Sequence, residues 1–497
     1  MEKRYLYKFF LVCLAACFWA CNGYLEEIPQ NKQKLTTPDD YEQLLNNAYM
    51  AKSVLPYIDI LTDDVEYAAE DRDPSKGNWG DTYLGAFMWE RSIETTMPSG
   101  DPTFELFYNS VYSANVILEN IDNAVNPTLD EEALQRICGH IKGEAYALRA
   151  YRYLYLVNMY AAPYDPETCE TTPGIPINLG TMAEDKPYPR ASLKKVYEQI
   201  VSDLIAAIPL LEKNPKDAGK TRFSAISAKA LLARVYLYMQ EWDLAIEQAK
   251  DVIQANKTLF DLRNPLFYTE APFEWSEEAL PGNGYLNTDN SNVLFVNGIN
   301  EICELLGGDN AISLFRPSKD LDNAYDKGDV RRCYFIRHTY SGKLRYVKHR
   351  YYDEVYLNFV LQLSSDYGYS RGIRTEEMYL ILAEAYAHKT DGIATAVGYL
   401  NTLREAKFRE EDFETYGRLH SEDFTQQTLL EEIWKERRLE LCFEEHRWFD
   451  LRRTTRPPMT HKGLKGTSTL QENDLRYVLQ IPQKELSVNP QIGANPR

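Results

Sequence analysis

Two stretches of this 497-residue chain carry the same order of small and bulky residues. In Leu231-Leu232-Ala233-Arg234-Val235-Tyr236 a small residue is followed three positions later by Tyr. After a short turn at Gln240-Glu241 come Trp242, Ala245 and Ala249, so an Ala stands twelve residues after Ala233. The order recurs at Ile381-Leu382-Ala383-Glu384-Ala385-Tyr386, followed by an apolar run from Ile393 to Leu403. Apolar residues at a period near 3.6 make each half a helix, and small residues at the crossing let two antiparallel helices approach closely. Such pairs commit the chain to a mainly α fold.

This order resembles a tetratricopeptide helix pair. Tandem pairs of that kind come every ~34 residues, whereas these copies lie 150 residues apart. The array is therefore interrupted, and residues 260–371 are the interruption. They hold Pro, Gly and Asn clusters, aromatics and short β-prone runs such as Val293-Leu294-Phe295-Val296. Other helical patterns flank the first copy: Tyr41 to Tyr49 behind Thr37-Pro38-Asp39, Phe104 to Ile121, Leu134 to Tyr160 stopped by Pro163, and Leu193 to Pro209. Residues 59–100 break down into Asp, Gly, Pro and aromatics, and long irregular segments of this kind are often functional. A last helix is expected from Leu429 to Leu451. The organisation predicted is a body over 39–497, with helical pairs at about 39–259 and 372–451, a loop-rich insertion carrying short strands at 260–371, and an extended tail at 452–497.

The first residues read as an address. Lys3, Arg4 and Lys8 precede an uncharged apolar stretch from Phe9 to Ala20. It is short for a membrane span and right for a signal-peptide core. Residues 1–20 are read as a lipoprotein signal, Cys21 as the acylated residue and 21–38 as a polar tether, with Cys17 as the alternative acceptor. Two acyl chains on one Cys suffice for stable membrane anchoring.

Acidic residues number 74 against 55 basic, giving a net charge of −19. Such a surface repels phosphate backbones and argues against a nucleic-acid binder. Beyond the signal region stand Cys138, Cys169, Cys303, Cys333 and Cys442, none at C-x-x-C spacing, so neither a disulfide scaffold nor a zinc site is expected. Gly219-Lys220-Thr221 lacks the earlier glycine of a phosphate loop, Gly282-Asn283-Gly284 lacks the context of a dinucleotide site, and neither H-E-x-x-H nor G-x-S-x-G occurs. No metal or cofactor is expected. Nothing singles out a pair of catalytic carboxylates among the 74 acids, yet such pairs meet in space rather than in sequence.

The most distinctive string runs from Glu436-Arg437-Arg438 through Glu440, Glu444, Glu445 and Trp448 to Arg453. Its charges interleave with Leu441, Phe443, Phe449 and Leu451, so some must lie near the core. Arg437–Glu440 and Glu440–Glu444 are helix neighbours. A partly buried Arg–Glu network locking the C-terminal helix is the physical reading.

That string, with others in order, resembles the SusD/RagB outer-membrane nutrient-binding lipoproteins of Bacteroidetes. The others are Cys21, Tyr24-Leu25-Glu26, Tyr112 with Ala114-Asn115, Leu148-Arg149-Ala150-Tyr151-Arg152-Tyr153, Gly174-Ile175-Pro176, Pro189-Arg190-Ala191-Ser192, Gly328-Asp329-Val330-Arg331, Ile481-Pro482-Gln483 and Asn489-Pro490. Trp19 before the lipid Cys and Pro496-Arg497 at the end depart from the family type. The resemblance implies four tetratricopeptide-like pairs on the outer leaflet, facing the exterior. It implies a non-catalytic protein that binds oligosaccharide and delivers it to a SusC-like TonB-dependent transporter. A surface-anchored glycoside hydrolase and a peptide binder are the alternatives.

A sugar ring shows an apolar C–H face that lies flat on an aromatic ring, with hydroxyls projecting towards polar groups. Trp79 within Gly77-Asn78-Trp79-Gly80-Asp81, with Tyr83 and Trp89, is therefore expected to face Trp275, Tyr285 and Asn287 across a glycan. Asn78 and Asp81 would bond hydroxyls.

Overall fold

The structure is a computed structural model, and it describes residues 35–50, 57–68, 79–97, 99–181, 188–263, 285–298, 306, 314–338, 344–346, 369, 371–464 and 466–497. The fold is mainly α, with few short strands. Helix α1 (Pro38–Tyr49) is started by Thr37, whose hydroxyl accepts from the Asp40 amide while the Asp40 carboxylate bonds back, a reciprocal capping box. It leans on α2 (Thr103–Asn120), α2 packs on α3 (Glu131–Tyr160), and α3 on α4 (Leu193–Lys213). Gly143 makes the last contact possible: a Cβ there would meet Leu211 Cγ at 2.9 Å. Helix α4 runs four residues beyond the expected stop. Pro209 lies inside it on an exposed face, where water can take up the carbonyl that loses its donor.

The first predicted pair is α5 (Ala225–Met239) and α6 (Trp242–Ala255). It opens on a Ser224–Ser227 capping box and turns at Gln240, which adopts a left-handed conformation (φ 62°). The second is α7 (Thr375–Ala387) and α8 (Ile393–Glu405). Ala230, Ala233, Ala245, Ala249, Ala383, Ala385 and Ala396 are all fully buried, as close crossing requires. The interruption in sequence is not an interruption in space, because α6 packs directly on α7. The chain ends the first pair at Ala255 and begins the second at Thr375.

Among the described residues the strands form four antiparallel pairs. β1 (Val65–Tyr67) pairs with β3 (Phe315–Pro317), and β2 (Val293–Asn297) with β6 (Arg371–Arg374). β4 (Ile336–His338) pairs with β5 (Leu344–Tyr346), and β7 (Met459–Gly463) with β8 (Gly466–Leu470). The tail is thus more ordered than expected: it carries the β7–β8 hairpin and a short helix, Gln483–Val488. The single last helix is two, α9 (Gln426–Leu441) and α10 (Arg447–Arg453). The chain breaks between them because Phe443 and Glu445 take positive φ (60° and 64°), and this break turns Glu444 and Glu445 into the core.

Candidate functional site

The roots of the irregular segments gather in one region. The Ala68 amide bonds the Leu314 carbonyl at 2.7 Å, so the chain leaves β1 beside the point where it enters β3. Asn297 pairs with Arg371, which places the two ends of the 298–370 excursion together. Phe260 and Tyr285 bring the ends of the 264–284 excursion to a ring separation of 4.7 Å.

Tyr285 is the keystone of this arrangement. Its ring contacts Phe335 at 5.1 Å, at the start of β4, and lies under the Arg374 guanidinium of β6 at 4.7 Å. Its hydroxyl donates to Glu440 Oε1 at 2.8 Å and accepts from Lys407 Nζ at 2.8 Å. Burial first, then the Glu440 charge, pushes the phenol well above its ordinary pKa, so it stays protonated and donating. With 0 % of its surface exposed, Tyr285 offers no face to a sugar, contrary to the expectation from its glycine-rich sequence.

Two other expected platform residues are also core. Trp89 is 2 % exposed; its ring stacks on His461 at 4.0 Å, and its Nε1 donates to the Leu61 carbonyl at 2.9 Å. Tyr83 is likewise buried. The Trp89 and Tyr285 clusters do not face each other, because α9 separates them. Arg438 reaches Asp64 at 2.6 Å on the Trp89 side, while Glu440 reaches Tyr285. Two residues apart on a helix, they point in nearly opposite directions. Asn287 is half-buried and spends its side-chain oxygen on the Asp289 amide at 2.8 Å. Trp79 opens a 3-10 turn, Trp79–Tyr83, in which Asp81 is half-buried. Asn78 and Trp275, and the side chain of Trp79, lie outside the described residues.

The network that holds the roots was only partly foreseen. The carboxylates of Glu436, Glu440, Glu444 and Glu445 take their partners from outside α9. Glu436 takes Arg331 at 2.6 Å and Arg404 at 2.6 Å; Glu440 takes Arg374 at 2.9 Å and Arg331 at 3.2 Å. Glu444 takes Arg374 at 2.8 Å, Glu445 takes Arg371 at 3.1 Å, and Arg437 turns to Asp450 at 3.1 Å rather than to Glu440. Burial acts to raise the Glu436 pKa, but Arg331 and Arg404 outweigh it and hold the carboxyl below its usual value. Asp59 shows the opposite balance. Burial, then the neighbouring Glu445, push its carboxyl well above the usual range, and the Glu445 amide, 3.1 Å away, opposes them. Among the described residues no group of His, Cys, Asp and Glu is placed to hold a metal ion, and no helix is long and apolar enough to cross a membrane.

This architecture has relatives. The pattern of a family described as "Starch-binding associating with outer membrane" matches residues 23–237, and that of the SusD family matches 366–497. The chain belongs to the SusD/RagB family. Its SusD relatives include a SusD-like protein of Formosa agariphila, 24 % identical, in an alignment spanning 97 % of this chain and 96 % of the relative. A second from the same organism is 27 % identical over 71 % of this chain and 73 % of its own length. Among solved structures, a SusD superfamily protein from Bacteroides vulgatus superposes with a TM-score of 0.71 at 20 % identity, covering 93 % of this chain and 99 % of that one. A laminarin-binding SusD-like protein gives 0.59 at 22 % identity, covering 93 % and 99 %.

Proposed function

We propose that this SusD-family protein captures oligosaccharide at the cell exterior and hands it to a SusC-like TonB-dependent transporter, without catalysing any reaction on it. Family membership across both ends of the chain carries the reading, and the laminarin-binding relative of the same fold supports a glycan as the ligand class. The gathered loop roots fit this role, since a rigid scaffold presenting irregular segments is the usual way to build a binding face. Anchorage is by acylated Cys21 on the outer membrane, with residues 22–38 as tether. The contacts belong to the irregular segments rather than to the core aromatics. Of the residues singled out from sequence, Trp79, Asn78, Asp81 and Trp275 remain in the proposed face.

The test is a panel of soluble glycans and peptides run by calorimetry and affinity electrophoresis, with products examined by chromatography. Binding of one glycan without product, weakened in Trp79→Ala at unchanged melting temperature, is the expected outcome. Turnover of a glycan, or binding of peptides alone, would refute the reading.

A further inference from the structure

His461 on β7 is the point where the C-terminal hairpin grips the irregular segment at 59–68 and 79–97. Its ring lies flat between Phe87, at 4.1 Å and 9°, and Trp89, at 4.0 Å and 19°. Its edges meet backbone: Nδ1 lies 2.6 Å from the Phe87 carbonyl and Nε2 3.0 Å from the Thr62 carbonyl. The residue is 5 % exposed, and Phe87 and Trp89 are more deeply buried still.

The grip holds strain. Trp89 has φ +46°, a conformation that costs a bulky residue energy and persists only where the surroundings impose it. The stack on His461 and the bond from Nε1 to the Leu61 carbonyl impose it here. Without that stack, one of the two restraints on Trp89 is gone.

The grip also lacks a counter-charge. Among the described residues no carboxylate bonds the imidazole. Asp63, the acid that acts on it, is spent on Arg447 at 2.8 Å and Arg438 at 3.5 Å. Asp64 is spent on Arg438 at 2.6 Å, Glu66 of β1 on Arg316 at 3.4 Å, and Glu90 accepts from the Thr95 hydroxyl. Arg476, which donates to the Trp89 carbonyl, is paired with Asp474, and Lys462 is exposed. The Tyr67 ring leans on Phe87 at 6.2 Å.

A neutral ring suits this enclosure: it donates from one nitrogen and stacks on both sides. A second proton would find a carbonyl, and ring faces attract a cation. It would also place an unpaired charge where the same rings keep water away, and desolvation disfavours the charged form. Burial outweighs the two carbonyls and Asp63 and takes the imidazole down to about 4.

We propose that His461 is an acid-operated latch: taking up a proton withdraws its ring from between Phe87 and Trp89, and the C-terminal hairpin lets go of the irregular segment. The Trp79–Tyr83 turn leads directly into Leu84–Phe87. On the ligand face proposed above, on which this last step rests, acid would therefore loosen the root of Trp79 and Asp81 and weaken capture.

A histidine whose folded pKa lies below the unfolded value of 6.5 supports folding fully above 6.5 and loses that support as pH falls towards the folded value. The window is thus pH 6.5 down to about 4. Hydrogen exchange of the mature protein, corrected for intrinsic rates, reads the latch directly. Between pH 6 and 4.5, opening of residues 84–89 should rise about tenfold per pH unit, the slope of one proton. In His461→Gln and His461→Phe, neither of which titrates, that acid slope should be absent. The parent's melting temperature should fall relative to both variants over the same range. These measurements need no ligand, so they stand or fall apart from the glycan reading. An acid slope shared by the parent and both variants, or acid opening that spares residues 84–89, would overturn the latch. The affinity of a neutral glycan should weaken in acid in the parent alone, and a pH-independent affinity would overturn the link to the ligand face.

Discussion

Replacing Glu440 with Ala is expected to be among the most damaging single changes in α9. The carboxylate is fully buried and accepts from Tyr285 at 2.8 Å, Arg374 at 2.9 Å and Arg331 at 3.2 Å. Neither guanidinium is wholly abandoned by its loss: Arg374 keeps Glu444 and Glu376, and Arg331 keeps Asp329 and Glu436. The Tyr285 hydroxyl, however, loses its acceptor, and Lys407 loses a neighbouring charge at 3.7 Å. Removing one partner of a buried pair costs ~3–5 kcal/mol. The retained pairs set the expectation at the lower part of that range, about 3 kcal/mol. The contrast is Lys194→Ala, whose partner Glu170 sits in open solvent and whose loss should leave stability unchanged within error. Equilibrium unfolding in urea measures both. Equal midpoints for Glu440→Ala, Lys194→Ala and the parent chain would refute the claim that the network is buried and shared.

Asp59→Asn should stabilise the protein, increasingly so as pH rises. A carboxyl whose folded pKa is raised supports folding fully below its unfolded value near 3.8 and loses that contribution as pH climbs towards the folded value. The difference in melting temperature between variant and parent, followed from pH 4 to 8, should therefore widen; a constant difference would contradict it. Tyr285→Ala should cost about 3–5 kcal/mol in urea unfolding, as a buried aromatic does, whereas a ligand-contact role alone would leave unfolding unchanged. Gly328→Ala should destabilise measurably, because φ is +87° there and a Cβ would meet that of Asp412 at 2.4 Å; an unchanged melting temperature would show that the loop relaxes. Cys21→Ala should release the protein from the membrane fraction, and acyl label that persists there but is lost in Cys17→Ala would move the anchor.

The helices were legible because their signals are local. Thr37-Pro38-Asp39 and the Ala233, Tyr236 and Ala245 spacing each act within one or two turns, and the elements they announce form at those places. The return of α7 onto α6 was legible only as an interruption, since nothing in residues 260–371 says that their ends meet. The site was far less legible. Trp89 sits in the same Asp-, Gly- and aromatic-rich stretch as Trp79, but its partner His461 is 372 positions away in sequence. Glycines around Tyr285 suggested an uncovered ring, whereas Glu440 and Lys407 fold over it from 155 and 122 residues further on. Composition reports that a segment is aromatic and irregular; it does not report which rings the distant chain covers. Likewise the Arg–Glu string announced buried charge, yet nothing in the sequence tied it to its partners Arg331, Arg371, Arg374 and Arg404.

Those partners suggest why the scaffold is bolted with ions rather than oil. Arg331 comes from inside the insertion, Arg371 and Arg374 from the strand that ends it, and Arg404 from α8, and all converge on the run from Glu436 to Glu445. Apolar residues of similar volume could give equal or greater stability, because desolvation offsets much of the attraction in a buried pair. What they would not give is register. An apolar contact tolerates a slide of an ångström or two, whereas a guanidinium fork on a carboxylate is satisfied in few geometries. A strand pair as short as β2–β6 fixes its own alignment weakly, and its ladder already shifts register between Val293 and Phe295. Arg371 and Arg374, three residues apart in β6, fall on separate carboxylates, Glu445 and Glu444, so a slip of one residue would strand both charges. The network thus holds the roots of the irregular segments in one arrangement while leaving the segments themselves free to carry whatever residues a ligand requires.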